Sequence, residues 1–288
     1  MRHPVLFARP ALLALCLSGI ATLPACQQGI SRAAADKAVS EVAQVDQSNL
    51  NDIMLTVADP TEAVTYFKNA LTVSPDKIEL KRGLAKSLVR ANLYTEAASI
   101  LTEIIASPDG TDDDRLALAD VLIRSNEWQQ AETILNQIPP TVESYERYRL
   151  EALVADSKKD WKKADSFYEI AAGMTTKPQG VLNNWGFSKL TRGDAAGAEK
   201  LFIQALTYDP TMFTAKNNLV LARAKQHKYE LPVVQMTQME RAQLLYTAGL
   251  AAVKQGDITE GKRILHEAVD TSPTYFEAAA RSLAALEG

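Results

Sequence analysis

Residues 183–210 read NNWGFSKLTRGDAAGAEKLFIQALTYDP. The stretch divides into two helical halves around the break Arg192-Gly193-Asp194. Gly186 gives the first half a small residue, and Ala198, Phe202 and Ala205 fall on one face of the second, at the i, i+4, i+7 spacing of an α-helix. Small residues on facing helices let two axes approach closely, and the aromatic ring four residues further on fills the gap beyond them. Pro210 closes the pair, because its ring and missing N–H cannot continue a helix.

The same marks recur on both sides of this stretch. Ala63, Phe67, Ala70 and Pro75 have the same mutual offsets as Ala198, Phe202, Ala205 and Pro210. Between them come Ala97 and Leu101, with Pro108 one place early; then Ala131 and Leu135; then Ala164, Tyr168 and Ala171. The steps are 34, 34, 33 and 34 residues, and a last set, Gly261, Leu265, Ala268 and Pro273, follows after 63. Each later set is preceded by a turn-like break: Asn92-Leu93-Tyr94, Asn126-Glu127-Trp128, Lys159-Asp160-Trp161, Arg192-Gly193-Asp194 and Gln255-Gly256-Asp257. One helix pair cannot bury both of its apolar faces, so units in register must stack.

Helix, tight turn, helix and proline at a period near 34 residues resemble the tetratricopeptide repeat (TPR). The expected fold is all-α, a right-handed superhelical solenoid of about six to seven helix pairs over residues 44–288, with a C-terminal capping helix at about 274–287. The unit at about 211–238 departs from the pattern. Its first helix is well patterned, but Leu231-Pro232-Val233 stands where a second helix would have its interior, so a loop, broken helix or extended crossing is expected there.

The chain has 288 residues with 31 Lys+Arg and 35 Asp+Glu, a net charge of −4. Its 47% apolar content with 13 Gly and 12 Pro excludes a disordered or fibrous chain. An acidic balance without a basic block argues against nucleic-acid binding. Met1–Pro10 carries Arg2 and Arg9, and Ala11–Leu23 is an apolar run too short to span a bilayer but suited to a signal-peptide core. Residues 1–25 therefore read as an export leader. Leu23-Pro24-Ala25-Cys26 resembles the bacterial lipobox, which implies that the Cys26 thiol is acylated and becomes the new N-terminus. Such lipoproteins carry three acyl chains, and two or more give lasting attachment. Gln27, where enteric-type sorting would require Asp for inner-membrane retention, implies the outer membrane. Residues 26–43 then form a lipidated N-terminus and tether, and the rest a periplasmic domain. Cys16 leaves with the leader, so no internal disulfide is expected.

No catalytic constellation, phosphate loop or cofactor motif is present, and the expectation is a non-enzyme without cofactor or metal. Only His227 and His266 remain beyond the leader, too few for a zinc site without a cysteine pair. Asp112-Asp113-Asp114 stands where a helix begins, which suits the positive end of the helix dipole. His227 and His266 read as solvated positions, and Trp128 and Trp161 as packing residues in the turn slot.

The candidate site is a doubled asparagine. Asn183-Asn184 and Asn217-Asn218 occur 34 residues apart, on the first helices of adjacent units near the inner face. In peptide-binding TPR proteins, Asn at the second of these places meets the backbone of an extended ligand. An amide offers both a donor and an acceptor, so it pairs with a peptide regardless of sequence. Phe187 and Leu221, also 34 apart, would supply the apolar floor. The competing reading is that the amides tie down neighbouring loops or face water, and that the two apolar residues pack between helices. The carboxylate clamp of chaperone-binding relatives is not expected, because Arg149 and Lys216 do not form its set.

The runs at Asn183–Pro210, Ala215–Gln243 (AKNNLVLARAKQHKYELPVVQMTQMERAQ), Ala252–Asp257 (AVKQGD) and Phe276–Glu287 (FEAAARSLAALE) resemble the TadD family of TPR lipoproteins in the tight-adherence (Tad/Flp) pilus system. The resemblance implies an outer-membrane-anchored, periplasmic assembly factor acting on a pilus secretin or another Tad component. Two alternatives stay open: a pilotin or outer-membrane-assembly lipoprotein of another system, and a scaffold recruiting cell-wall enzymes.

Overall fold

The structure is a computed structural model that describes residues 49–287. The expected leader, the lipidated Cys26 and nearly all of the tether lie outside the described residues. The chain divides into a first unit, Met1–Asp52, whose residues 49–52 are helical, and a second, Ile53–Gly288.

The second unit is a succession of helices: α1 (Pro60–Val73), α2 (Ile78–Arg90), α3 (Tyr94–Ala106), α4 (Asp112–Arg124), α5 (Trp128–Leu135), α6 (Tyr145–Ser157), α7 (Trp161–Gly173), α8 (Gln179–Thr191), α9 (Ala195–Tyr208), α10 (Phe213–Ala224), α11 (Gln238–Lys254), α12 (Ile258–Thr271) and α13 (Glu277–Glu287). No strand occurs among the described residues, and no helix there is long and apolar enough to cross a membrane. The pairs α2/α3, α4/α5, α6/α7, α8/α9 and α11/α12 each pack closely, and the first helix of each pair also packs on its neighbours. This is the TPR solenoid that the 34-residue period implies.

The caps explain where helices begin. Pro60 opens α1 behind Asp59, whose carboxylate accepts from the Thr61 and Glu62 N–H groups. At α4 the acid run is put to use: Thr111 and Asp114 form a reciprocal capping box, and Asp112 pairs with Arg115 at 3.0 Å. Thr237 and Glu240 do the same at α11.

The tight turns share one backbone device. Asn92, Asn126, Lys159, Gly193, His227 and Gly256 all have φ between 57° and 95°. They follow one another at steps of 34, 33, 34, 34 and 29 residues, so the left-handed residue marks the same place in every unit. Tyr94 and Trp128, two residues beyond Asn92 and Asn126, donate to those turn side chains at 2.7 and 2.6 Å.

The close approach inside a pair is visible at Gly186. A Cβ on this glycine would lie 2.7 Å from Cε1 of Phe202, which is fully buried. Gly249 meets Leu265 in the same way, at 2.9 Å. Ala63, Ala97, Ala131, Ala164, Ala198 and Ala268 are all wholly buried.

After α10 the pattern changes. Residues 225–237 form no helix, and α11 follows with 17 residues. The crossing segment replaces a second helix by packing side chains at intervals. Tyr229, Leu231 and Met236 join the core around Leu244 and Ile264, and Val234 joins that around Phe202, while Val233 is fully exposed.

Candidate functional site

The inner face is built by the first helices, α2, α4, α6, α8, α10 and α11, each stitched to the next by polar side chains. Arg82 on α2 grips Asp114 on α4 at 2.8 Å. Asp120 on α4 accepts from Arg149 on α6 at 2.7 Å. Asp156 on α6 accepts from Ser188 on α8 at 2.6 Å. Asn218 on α10 donates to Asn183 on α8 at 3.0 Å, and Thr247 on α11 donates to Asn217 at 2.8 Å. Gln255, just past α11, donates to the Ala224 carbonyl at the end of α10.

The electrostatics follow from these ties. Burial pushes the Asp120 carboxyl up, but hydrogen bonds from Arg149 and Arg124 outweigh it and hold the group below the usual carboxylate range. Burial likewise opposes ionisation of Asp165 on α7, and Arg192, Trp185 and Lys189 overcome it. Asp156 differs. Its burial is only partly offset by the Ser188 and Tyr168 hydroxyls, and its carboxyl stays raised.

These ties decide what the four asparagines do. Asn183 and Asn218 are both buried and spend an amide bond on each other. Asn217 holds the Thr247 hydroxyl. Only Asn184, half-buried on α8, has no hydrogen-bond partner among the described residues. A free ladder of equal amides therefore gives way to a tie between neighbouring helices, with Asn183 facing Asn218 rather than Asn217. Phe187 stands half-exposed on α8, and Leu221 lines an open groove. Arg149 is engaged by Asp120, and Lys216 is 2% exposed and paired with Glu240 at 3.0 Å.

That groove, of about 430 Å³, is lined by Leu190 of α8, Leu221 and Ala224 of α10, and Leu250 and Ala251 of α11. Lys225 and Lys254 stand on its rim, and no Asp or Glu lines it. Leu250 continues the row begun by Phe187 and Leu221: each stands one place beyond the same repeat position of its first helix, filled by Gly186, Val220 and Gly249. The sequence reading missed Leu190, Leu250 and both lysines. The signal for Leu250 was present in the 63-residue step from Phe187.

A second groove, of about 680 Å³, lies between α2 and α4. It has an apolar floor of Ala85, Val89, Ala117 and Val121, with Arg82, Lys86 and Arg90 on one wall and Asp113, Asp114 and Asp120 on the other. Most of these charges are consumed internally: Arg82 by Asp114, Arg90 by the Met54 and Ala58 carbonyls, and Asp120 by Arg124 and Arg149.

The remaining sequence candidates are elsewhere. His266 pairs with Glu287 at 3.0 Å on the surface, and His227 with Asp257 at 2.9 Å beside the Tyr229 hydroxyl. Trp128 and Trp161 are half-buried, the latter beneath the Arg192 guanidinium at 5.6 Å. No group of three metal-ligating side chains occurs among the described residues.

Residues 55–113 match the tetratricopeptide repeat family model. A search of curated protein sequences gave no match. Among solved structures, a chain of the APC/C hetero-tetramer Cut9–Hcn1 is similar with a TM-score of 0.59 and 13% identity, over 80% of this chain. The matched region spans 46% of that longer protein. A tetratricopeptide repeat protein from Parabacteroides merdae ATCC 43184 gives a TM-score of 0.54 at 14% identity, over 80% of this chain and 93% of its own. A thermophilic TPR protein of Thermus thermophilus gives 0.52 at 16% identity, over 60% and 95%. At these identities the likeness is one of fold. The repeat spacing, the recurring left-handed turns, the family match over residues 55–113 and the similar solved structures agree on a tetratricopeptide-repeat fold.

Proposed function

We propose that this protein is a lipid-anchored scaffold at the periplasmic face of the outer membrane, whose inner groove captures a polypeptide segment during assembly of a Tad/Flp pilus. The observation that carries the capture is the row Phe187, Leu221 and Leu250. Three consecutive first helices present an apolar side chain at one repeat position: Phe187 is half-exposed, and Leu221 and Leu250 line a groove of about 430 Å³. Solvent-facing apolar side chains in a recess contribute little to folding and gain free energy when a partner covers them. Asn184 adds a free amide, while Asn183, Asn217 and Asn218 hold the helices in position.

The lipobox at Leu23-Pro24-Ala25-Cys26 supports the anchor, and Gln27 the outer membrane. Confinement to a surface raises the effective concentration of scaffold and partner, so a modest affinity suffices. The resemblance of residues 183–287 to tight-adherence lipoproteins points to a secretin subunit or another Tad component as the captured protein.

The test is the state of the secretin in cells. Deleting the chain should abolish secretin multimers in the outer membrane, and Cys26→Ser should remove palmitate labelling and reproduce that loss. Intact multimers in the deletion strain would refute the assembly role. Palmitate labelling that persists in Cys26→Ser would refute the anchor.

A further inference from the structure

We infer that the groove formed by α8, α10 and α11 takes a partner segment that is helical and acidic, with aliphatic residues against Leu190, Leu221 and Leu250 and carboxylates against Lys225 and Lys254. This rests on the capture role proposed above and specifies its ligand.

The charge argument is direct. Lys225, which caps the end of α10, and Lys254, the last residue of α11, are exposed, occupy the same repeat position, and have no ion-pair or hydrogen-bond partner for their side chains among the described residues. In a chain with 35 acidic residues, none lines this groove. The α2/α4 groove shows the contrast, since there basic and acidic walls face each other and largely neutralise one another. Two uncompensated ammonium groups beside an apolar floor attract an anionic partner and repel a basic one.

The helical form follows from hydrogen bonding. An extended peptide brings unpaired N–H and C=O groups, which lose free energy if covered without partners. The groove's polar side chains are already spent. Of its neutral members, Thr247 donates to Asn217 and Gln255 donates to the Ala224 and Ala251 carbonyls. A helix satisfies its own backbone and offers only side chains, which is what the floor and the two lysines receive. The dimensions agree: packed helices lie about 8–10 Å apart, and two turns of a helix rise about 11 Å, so an aliphatic residue every second turn meets successive floor leucines.

The test uses the full chain and fluorescein-labelled synthetic peptides of about five turns. All carry Leu every seventh residue; the flanking positions are Glu, Gln or Lys, and a further Glu peptide is broken by two central prolines. Fluorescence anisotropy should rank Glu over Gln over Lys, with the proline-broken peptide far weaker than the intact one. Lys225→Glu with Lys254→Glu should weaken the Glu peptide by about tenfold or more and strengthen the Lys peptide, a swap that a folding defect cannot mimic. Both lysines are unpaired, so helicity and melting temperature should hold. Equal binding of the Glu and Lys peptides, undiminished binding of the proline-broken peptide, binding to phosphatidylglycerol vesicles in place of any peptide, or no peptide binding would each overturn the inference. The capture role is read separately. If a photoreactive residue at Phe187 still crosslinks the secretin in the double-lysine variant as efficiently as in the parent, capture stands and the acidic-helix ligand falls.

Discussion

Gly186 sets a sharp test of how the helix pairs are held together. Replacing a helical glycine by alanine on a free surface stabilises a protein by about 1 kcal/mol, because the unfolded chain has less freedom to lose. Here the new methyl would stand 2.7, 2.9 and 3.0 Å from three carbons of the Phe202 ring. Carbon contacts are comfortable near 3.5–4.0 Å, and Phe202 is wholly enclosed. Overpacking of this kind costs about 1–3 kcal/mol, and overlap with three atoms of a rigid ring belongs at the upper end. Gly186→Ala should therefore destabilise by about 1–2 kcal/mol net. The repeat itself supplies the rescue. Two other units carry Ala and Leu sixteen residues apart, at Ala85/Leu101 and Ala119/Leu135, where this unit carries Gly186 and Phe202. Phe202→Leu alone leaves space, and in that background Gly186→Ala should become stabilising. The coupling should reach about 2 kcal/mol, as expected for residues in direct contact. Urea denaturation of the four proteins, followed by helical ellipticity, gives the cycle. A higher midpoint for Gly186→Ala alone, or additivity within about 0.5 kcal/mol, would refute the packing argument.

Three further outcomes follow from the polar ties. Asn183→Ala and Asn218→Ala each strand a buried amide and should cost about 1–3 kcal/mol apiece, while the double variant should cost clearly less than their sum. Asp156 binds its proton more tightly folded than unfolded, so the native protein should lose stability as pH rises from the ordinary carboxylate range through its raised folded pKa; thermal melts against pH should be flatter in Asp156→Asn, and an unchanged slope would contradict the burial argument. Glu240 is opposite in sign. The Thr237 backbone N–H and Lys216 hold it below the usual range, so its contribution is present above the unfolded pKa and lost as pH falls through the folded one. The penalty of Glu240→Gln in thermal melts should be larger at neutral pH than in acid.

The fold was legible because its marks are local and repeated. A small residue, an alanine at the start of the second helix and a bulky residue four places on recur at a fixed period, and each meets the same packing demand in every unit. The turns were legible where Asn or Gly takes the left-handed conformation, at Asn92, Asn126, Gly193 and Gly256. They were less so at Lys159, whose side chain carries no such preference, and at His227, where the imidazole's milder preference is a weaker mark. The asparagine repeat did not reveal which amides meet, because the tie joins unequal places in adjacent units. Asn183 meets Asn218, 35 residues on, and the amides that repeat in the sequence close on one another in space. Leu250 was hidden by the shortened unit, since replacing a second helix by the crossing at 225–237 shifts the spacing from 34 to 29 residues. The neutralised α2/α4 groove was invisible for a different reason. Nothing in the spacing of Arg82 and Asp114 announces that they meet.

The central claim is that the inner face of the solenoid grips a partner. Phe187 and Ile203 make a matched pair for testing it: Phe187 is 50% exposed on a first helix and Ile203 49% exposed on a second. A photoreactive residue placed at each in turn, in living cells, compares the two faces at equal accessibility. The account predicts a discrete protein adduct from position 187 and none of comparable yield from position 203. Equal adducts from both positions, or an adduct from position 203 alone, would contradict it.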